Sequence, residues 1–453
     1  MKFKEETRLK SPNQNIMPLS ARVGEDNILY LGGIAATELV EKFGSPLWVM
    51  CQETIEQSLK DILAGLSLYK GKATACYAGK AFLCTAIIRL IDKYKFGLDV
   101  VSQGEMETAR QASFTGAIFL HGNNKSDLEL RSAIERQLIV VADNREDIEK
   151  LAQFRKEASR VQDSPTEILL RIIPGIDLDT HDHIKTGHDT SKFGIPLSKI
   201  DEMISLVESY RDVGLKLIGL HAHIGSQAMD IEPFGEVIEI FADLYQKVFE
   251  KFGFHMPHLD IGGGLGIAYT ASDKPAALKD WTAYISRSMH ECFSEKRNLP
   301  LPHLSIEPGR CLVGTAGVTL YRVGRTKDLD KVSYLSVDGG MADNPRPITY
   351  QAKYTAAVAN RMEPRPGRSK PWSIVGRYCE SGDIIVEEAE LDAEIGDLLA
   401  IFATGAYNFS MASNYNRTLR PTCIMVKDGR AEAIVEGETY QDLLARDKMP
   451  SWL

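Results

Sequence analysis

A lysine closes the apolar, β-rich run ACYAGK, which puts Lys80 at the end of a strand. A strand-end amine that is partly withdrawn from water has its pKa drawn down, and becomes a nucleophile able to condense with an aldehyde. The same position also suits a lysine that lays its aliphatic stem on apolar surface and keeps its ammonium in water. Glu307, in HLSIEPGR, is an acid set among apolar residues. A carboxylate there needs a cation. Either a pyridinium nitrogen supplies it, kept protonated so that its ring accepts electrons, or an arginine of the fold such as Arg171 does. The segment LDIGGGLG (259–266) holds Gly263 and Gly264 within three consecutive glycines, and Gly309 and Arg310 follow Glu307. Glycines at strand ends let backbone N–H groups come close to an anion, and they equally serve tight turns. Their spacing is not that of a dinucleotide-binding fingerprint.

Two further patterns carry chemistry. HAH (221–223) puts His221 and His223 on one face of a strand, which suggests a metal. However, HDH (181–183) reads as polar loop, and no matching carboxylate stands beside either pair, so no metal site is expected. An imidazole packed over a cofactor ring suits His223 better. In CESGD, Cys379 lies beside Glu380; it is either an apolar filler or, next to the acid, a proton donor.

The elements that position these residues follow from periodicity. β-rich runs at 72–80, 96–102, 117–123, 138–144, 167–175, 217–225, 258–264 and 303–309 alternate with segments of helical spacing such as FGEVIEIFADLYQKVFEKFG. Near-continuous apolar strands alternating with amphipathic helices predict parallel βα units closing into a (β/α)8 barrel, with an open doubly wound sheet as the alternative. In such a barrel the strand ends share one mouth, which gathers Lys80, Ser102, His121, Asn144, Arg171, His223 with Ser226, the glycine turn, and Glu307 with Gly309 and Arg310. After Arg310 the texture changes to short β-rich runs between turn residues. This predicts a mostly antiparallel β-barrel or sandwich domain that the β-like N-terminal segment joins. The expected division is 1–51 joining the β domain, 52–310 the barrel, and 311–453 the β domain. RMEPRPGRSKP (361–371) reads as an exposed basic loop.

Composition narrows the class. The chain has 453 residues, 44% hydrophobic and 25% charged, as in ordinary globular proteins. Its 53 basic and 62 acidic residues give a net charge of −9 with no basic block, which argues against nucleic acid or an anionic membrane surface as partner. Neither a signal peptide nor an apolar run of membrane-spanning length is read. Seven scattered cysteines without a CxxC pair argue against a disulfide framework, so a cytoplasmic location is expected.

With YAGK, GLDVVSQGE, TGHDTSKFGI, HAHIGSQ, LDIGGGLG, IEPGR, DGGMADNPRP, CESGD and TGAY all present, the chain resembles the diaminopimelate decarboxylases. These are fold-type III pyridoxal-phosphate (PLP) enzymes related to ornithine decarboxylases and alanine racemase. The resemblance runs from PLWVM near residue 46 to GAYNFSMASNYN at 405–416. It implies that Lys80 is the Schiff-base lysine and that His223 stacks on the cofactor ring. It further implies that Ser226, Gly263, Gly264, Gly309 and Arg310 lie near the phosphate, and that Glu307 pairs with the ring nitrogen. Arg310, Arg346 and Tyr350 would bind substrate carboxylates, Glu380 would read the distal ammonium, and Tyr407 would reach both cofactor and substrate. Cys379 and Glu380 would enter the site from a second subunit of a homodimer. Relatives often carry Asn two residues after the Schiff-base lysine, where this chain has Phe82. The implied reaction is decarboxylation of meso-2,6-diaminopimelate to L-lysine and CO2, the last step of lysine biosynthesis. Decarboxylation of another basic amino acid or of carboxynorspermidine is the alternative.

Overall fold

The computed structural model describes residues 11–157, 164–176 and 191–453; HDH (181–183) and the first half of TGHDTSKFGI, residues 186–190, lie outside them. The chain forms two compact units. One takes Leu59–Gly266 and Pro275–Gly309; the other takes the chain up to Ser58 with Ile267–Lys274 and Arg310–Leu453.

The first unit is built on eight parallel strands: β1 (Ala73–Ala78), β2 (Gly97–Val100), β3 (Ile118–Leu120), β4 (Ile139–Ala142), β5 (Thr166–Ile173), β6 (Leu215–His221), β7 (His258–Asp260) and β8 (His303–Ile306). Each pairs with the next in chain order, and β8 pairs back onto β1 from Leu304 opposite Ala73 to Ile306 opposite Ala75, so the barrel is closed. Ile195–Pro196 adds a short parallel pairing to β5. The expected runs reach past the observed strands at their C-terminal ends, because those last residues turn out of the sheet. Gly79–Ala81, for example, forms a single 3-10 turn that carries Lys80. Phe82, where relatives often carry Asn, is buried, and its carbonyl accepts from Tyr77 Oη at 2.6 Å. Gly219 in β6 is required by close approach, since a Cβ there would stand 1.7 Å from the carbonyl oxygen of His258 in β7.

Helices between the strands bury one stripe each. The helix Thr85–Lys93 hides Ile87, Ile88, Leu90 and Ile91, and Glu232–Phe252 hides Phe234, Val237, Ile238, Phe241 and Val248 before Gly253 ends it in the left-handed region. Phe234 meets Trp281 of helix Leu278–Met289 edge to face at 5.3 Å. Each such fully buried large side chain stabilises by about 1.5–3 kcal/mol. Lys125 is a buried charge with three acceptors around it. Lys125 Nζ donates to Gly122 O, Val141 O and Asp147 Oδ2, each at 2.7 Å.

The second unit is a mixed sheet. Gly317–Asp328 pairs antiparallel with Leu47–Cys51, with Ser333–Val337 and with Leu398–Phe402, so the N-terminal segment does join the C-terminal sheet. Two of its pairings, Ser333–Val337 with Lys370–Val375 and Thr422–Lys427 with Leu47–Cys51, are parallel. Its core gathers Leu29, Leu31, Leu47, Val49, Leu320, Phe402 and Ile424. The segment expected to be an exposed basic loop, 361–371, is exposed over most of its length, and Arg361 and Met362 at its start depart from that. Arg361 is largely buried, pairing with Asp397 at 2.6 Å and Asp392 at 3.3 Å, because these two carboxylates of the turn between Ile384–Leu391 and Leu398–Phe402 need a cation.

Candidate active site

In the barrel unit the strand ends bring together a chain of charged groups. Lys80 Nζ lies 3.5 Å from Asp99 Oδ2, and the other oxygen of Asp99 lies 3.6 Å from His121 Nε2. His121 Nε2 is 2.6 Å from Glu307 Oε1, while His221 Nε2 is 3.1 Å from Glu307 Oε2. Asp99, His121, His221 and Glu307 are all buried; the Lys80 side chain is 43% exposed, so its amine is open to a reactant. Burial alone would push the Glu307 carboxyl up, but the two histidines beside it outweigh that and hold it well below the usual carboxylate range. Asp260, at the end of β7, behaves oppositely. Burial and then the Glu307 charge push it well above its ordinary value, the direction opposite to that of Glu307.

Burial brings His221 down to about 4 and His223 down to about 3, with the Lys80 charge adding to the effect on His223. Both are therefore neutral at pH 7. His223 Nδ1 accepts from Gly263 N–H at 3.3 Å, which fixes the tautomer and the ring plane. The glycine turn is shaped by backbone crowding. Gly262 has φ +68°, and a Cβ on Gly263 would stand 2.0 Å from Glu307 O. The turn thus packs directly on the strand end that carries the acid, and Glu307 N–H donates to Gly262 O at 2.7 Å.

The second unit holds a cluster of its own. Arg310 Nη1 donates to Tyr269 Oη at 2.6 Å and its guanidinium stands 4.8 Å from the ring centre of Tyr407. Arg346 is buried; it donates to Tyr354 Oη at 2.7 Å and its guanidinium stands 4.8 Å from the ring centre of Tyr269. Two guanidiniums thus converge on one tyrosine. Tyr350 ends the same short helix as Arg346 but is exposed. Cys379 is also exposed, its N–H donating to Asn416 Oδ1 at 3.0 Å, and Glu380 accepts from Gly382 N–H at 3.3 Å within its own loop.

A family model described as the pyridoxal-binding domain of pyridoxal-dependent decarboxylases matches residues 52–314. Over the whole length the chain is 40% identical to the diaminopimelate decarboxylase of Synechocystis sp., covering 98% of this chain and 95% of the relative. It is also 40% identical to that of Bacillus subtilis, covering 94% and 97%. The crystal structure of the M. jannaschii diaminopimelate decarboxylase in complex with L-lysine superposes with a TM-score of 0.87 at 32% identity, over 96% of this chain and 99% of that one. The chain belongs to the diaminopimelate decarboxylase family.

Within this diaminopimelate decarboxylase frame, Lys80, His223, Gly263 and Glu307 fall in one unit and Arg310, Arg346 and Tyr407 in the other. Ser226 is exposed after β6, and a Cβ on Gly309 would stand 2.9 Å from Ala78 Cβ, so the turn after β8 sits against the end of β1. Two strand-end residues go elsewhere. Ser102 caps the helix Gln103–Gln111 by accepting from Glu105 N–H, and Asn144 accepts from Asp147 N–H at 2.9 Å. Arg171 does not meet Glu307. It lies 3.8 Å from Asp143 and over the Phe193 ring. The expectation that no carboxylate accompanies HAH is corrected, since Glu307 and His121 come within 4.8 Å of His221 with ligand atoms facing one another. Residues that the sequence reading missed as site members are Asp99, Asp260, Tyr269 and Tyr354. Asp99 and Asp260 lie within GLDVVSQGE and LDIGGGLG, and Tyr269 just after the latter; Tyr354 had no such signal.

Proposed function

We propose that the protein decarboxylates meso-2,6-diaminopimelate to L-lysine and CO2 with pyridoxal phosphate as cofactor, the last step of lysine biosynthesis. The observation that carries this reading is the convergence of Arg310 and Arg346 on Tyr269. An amino acid that loses its only carboxylate gives such a pair nothing to hold. A substrate that keeps a second carboxylate does, and forked guanidiniums match it. An arginine bound to the departing carboxylate would instead stabilise the ground state and oppose loss of neutral CO2.

The donor set fits the cofactor. Lys80 offers an accessible amine for its aldehyde, Glu307 a buried ionised carboxylate for its ring nitrogen, and His223 a neutral imidazole face; Gly264, Gly309 and Ser226 would lie along its phosphate. When bound, pyridoxal phosphate supplies a conjugated ring that accepts the electron pair left by the departing carboxylate. The chain's own residues do the rest. Glu307 keeps negative charge opposite the ring nitrogen, and Asp99 holds the Lys80 ammonium when that amine is released. Arg310 and Arg346 fix the retained carboxylate, which sets the bond that breaks at the other end. Tyr350 and Tyr407 border that end, and Glu380 pairs with its ammonium. Cys379 delivers the proton that replaces CO2.

Cys379 and Glu380 are exposed, Glu380 with its contact in its own loop, which suits residues donated to a neighbouring copy in a homodimer. Among the described residues no helix is long and apolar enough to cross a membrane, and a cytoplasmic location goes with a biosynthetic substrate. The test is CO2 release measured side by side from diaminopimelate, lysine, ornithine and arginine. Diaminopimelate is expected to turn over fastest, and faster turnover of any of the others would overturn the assignment.

A further inference from the structure

Glu307 has an imidazole nitrogen beside each of its oxygens, and one of the two contacts is a hydrogen bond. His221 Nε2 stands 3.1 Å from Oε2 and His121 Nε2 stands 2.6 Å from Oε1, with the two imidazoles edge to face at 4.9 Å. His221 Nδ1 is buried with no hydrogen-bond partner, so the single proton of its neutral ring belongs on Nε2, where it donates to Glu307. A ring placed only to fill space would be cheaper as an apolar side chain, because an unsatisfied buried nitrogen is destabilising. A carboxylate has about four lone-pair sites; the His221 N–H takes one, and His121 Nε2 stands 2.6 Å from the other oxygen without an aligned hydrogen bond, so capacity remains for a further donor. The same His121 Nε2 lies 3.6 Å from Asp99 Oδ1, and Asp99 faces Lys80. His121 therefore stands between the acid at the ring-nitrogen end and the acid at the lysine end.

We infer that His121 and His221 are positioning residues of the cofactor site, each fixing one oxygen of Glu307 so that the carboxylate is held ionised, in one plane, toward the ring nitrogen of the bound cofactor. The inference rests on the cofactor reading above and adds to it the residues that set the orientation of its acid. His121 further prevents Glu307 from being left facing Asp99 with no donor between them, so its removal should disturb both ends of the site.

Affinity of the enzyme for pyridoxal phosphate, read from the absorbance of the bound cofactor, tests this together with steady-state kinetics on diaminopimelate. His121→Phe and His221→Phe keep a ring and remove the donor. Each is expected to weaken cofactor binding and lower kcat about tenfold or more while KM stays within about twofold. His121→Gln and His221→Gln, whose amide can donate from a similar place, should recover most of both, which a purely space-filling role would not predict. If the phenylalanine variants fail to fold, the glutamine variants still decide, compared with His121→Leu and His221→Leu. In a Glu307→Gln background the additional loss of cofactor affinity from His121→Phe should vanish; fully additive losses would overturn the inference. Unchanged affinity and kcat in folded phenylalanine or leucine variants would overturn it alone. Absence of any cofactor band in the unaltered enzyme would overturn the cofactor reading and this inference with it.

Discussion

Arg346 donates from Nη1 to Tyr354 Oη across 2.7 Å, and both side chains are buried. Tyr354 is not a bystander in that contact. Asn408 Nδ2 in turn donates to Tyr354 Oη at 3.3 Å, and Tyr269 meets the Tyr354 ring edge to face at 5.3 Å. The guanidinium proposed to hold the retained carboxylate is therefore positioned by tyrosines rather than by an acid. Its full positive charge remains for the ligand, where a carboxylate partner would have neutralised it.

Tyr354→Phe follows directly. It removes the oxygen that holds Nη1 and leaves the ring packing intact, so KM for diaminopimelate should rise about tenfold with little change in cofactor absorbance. Arg346→Lys keeps the charge but loses the planar fork, and a larger rise in KM is expected. Equal kinetics for the tyrosine variant and the unaltered enzyme would show that the contact does not aim the arginine.

Much of the barrel was legible because it depends on local pattern. Eight apolar runs alternating with amphipathic segments and ending in Lys80, His223, the glycine turn and Glu307 could be read one at a time. The contacts that make those residues a site were not legible. His121 and Glu307 are neighbours only because β3 and β8 project into the same closed barrel, and no spacing in the sequence relates them. The strand-end rule also gathered too much. Ser102 and Asn144 stand at strand ends, yet they serve the next helix, because those positions are equally helix N-caps and short oxygen-bearing side chains are what caps require. Tyr354 had no signal at all in QAKYTAAV, since an isolated tyrosine before a short strand looks like core.

Asp383 joins two loops that carry different predicted roles. Its Oδ1 accepts from Met341 N–H at 2.7 Å, in the segment leading to Arg346, and its Oδ2 accepts from Tyr378 N–H at 2.9 Å, just before Cys379. Gly340 and Gly376 leave room for it, since a Cβ on either would come within 2.5 Å of its oxygens. Asp383→Asn can satisfy only one of the two N–H groups and sets an amide N–H2 against the other, so it should cost about 1–3 kcal/mol. It should also lower kcat, with KM rising, while cofactor binding is unchanged. A lowered unfolding midpoint with intact kinetics would reduce Asp383 to a structural staple.

Buried histidines give the enzyme a sign for its pH dependence. Burial brings His221 to about 4 and His258 to about 3, both below the ordinary value near 6.5. Between those values the unfolded chain binds protons that the folded chain refuses, so stability falls as pH drops below about 6.5 and goes on falling toward about 3–4. Asp343 runs the other way. Burial raises it to about 7, so its contribution is present at low pH and is lost as pH rises from about 4 through about 7. The histidines should dominate on the acid side. Urea midpoints of the holoenzyme at pH 8, 6.5 and 5 check this, and a midpoint that rises on acidification would contradict it.

The glycine turn is expected to tolerate no side chain. A Cβ on Gly263 would meet Glu307 O at 2.0 Å, backbone against backbone, where nothing can rotate away. Gly263→Ala should therefore shift the end of β8 and with it Glu307. It is expected to destabilise by about 2–4 kcal/mol and to weaken cofactor binding in parallel. Gly253→Ala, where a Cβ meets nothing within 4 Å but φ is +75°, is the control. It carries backbone strain of about 1 kcal/mol and no loss of cofactor affinity.

Shared sites make a quantitative prediction for mixed dimers. Lys80→Ala removes the amine that receives the cofactor, and Cys379→Ala should lower kcat by about two to four orders of magnitude without matching loss of cofactor binding. If Cys379 serves the neighbouring copy, a dimer with one chain of each kind has one site that lacks both residues and one that has both. Random exchange in an equal mixture makes about half of all dimers mixed, so about a quarter of all sites, and of the activity, should return. If each chain completes its own site, every site lacks one residue and nothing returns. Measuring CO2 release before and after subunit exchange separates the two. Because each variant is nearly inactive alone, any activity above the Cys379→Ala baseline must come from a site built by two chains.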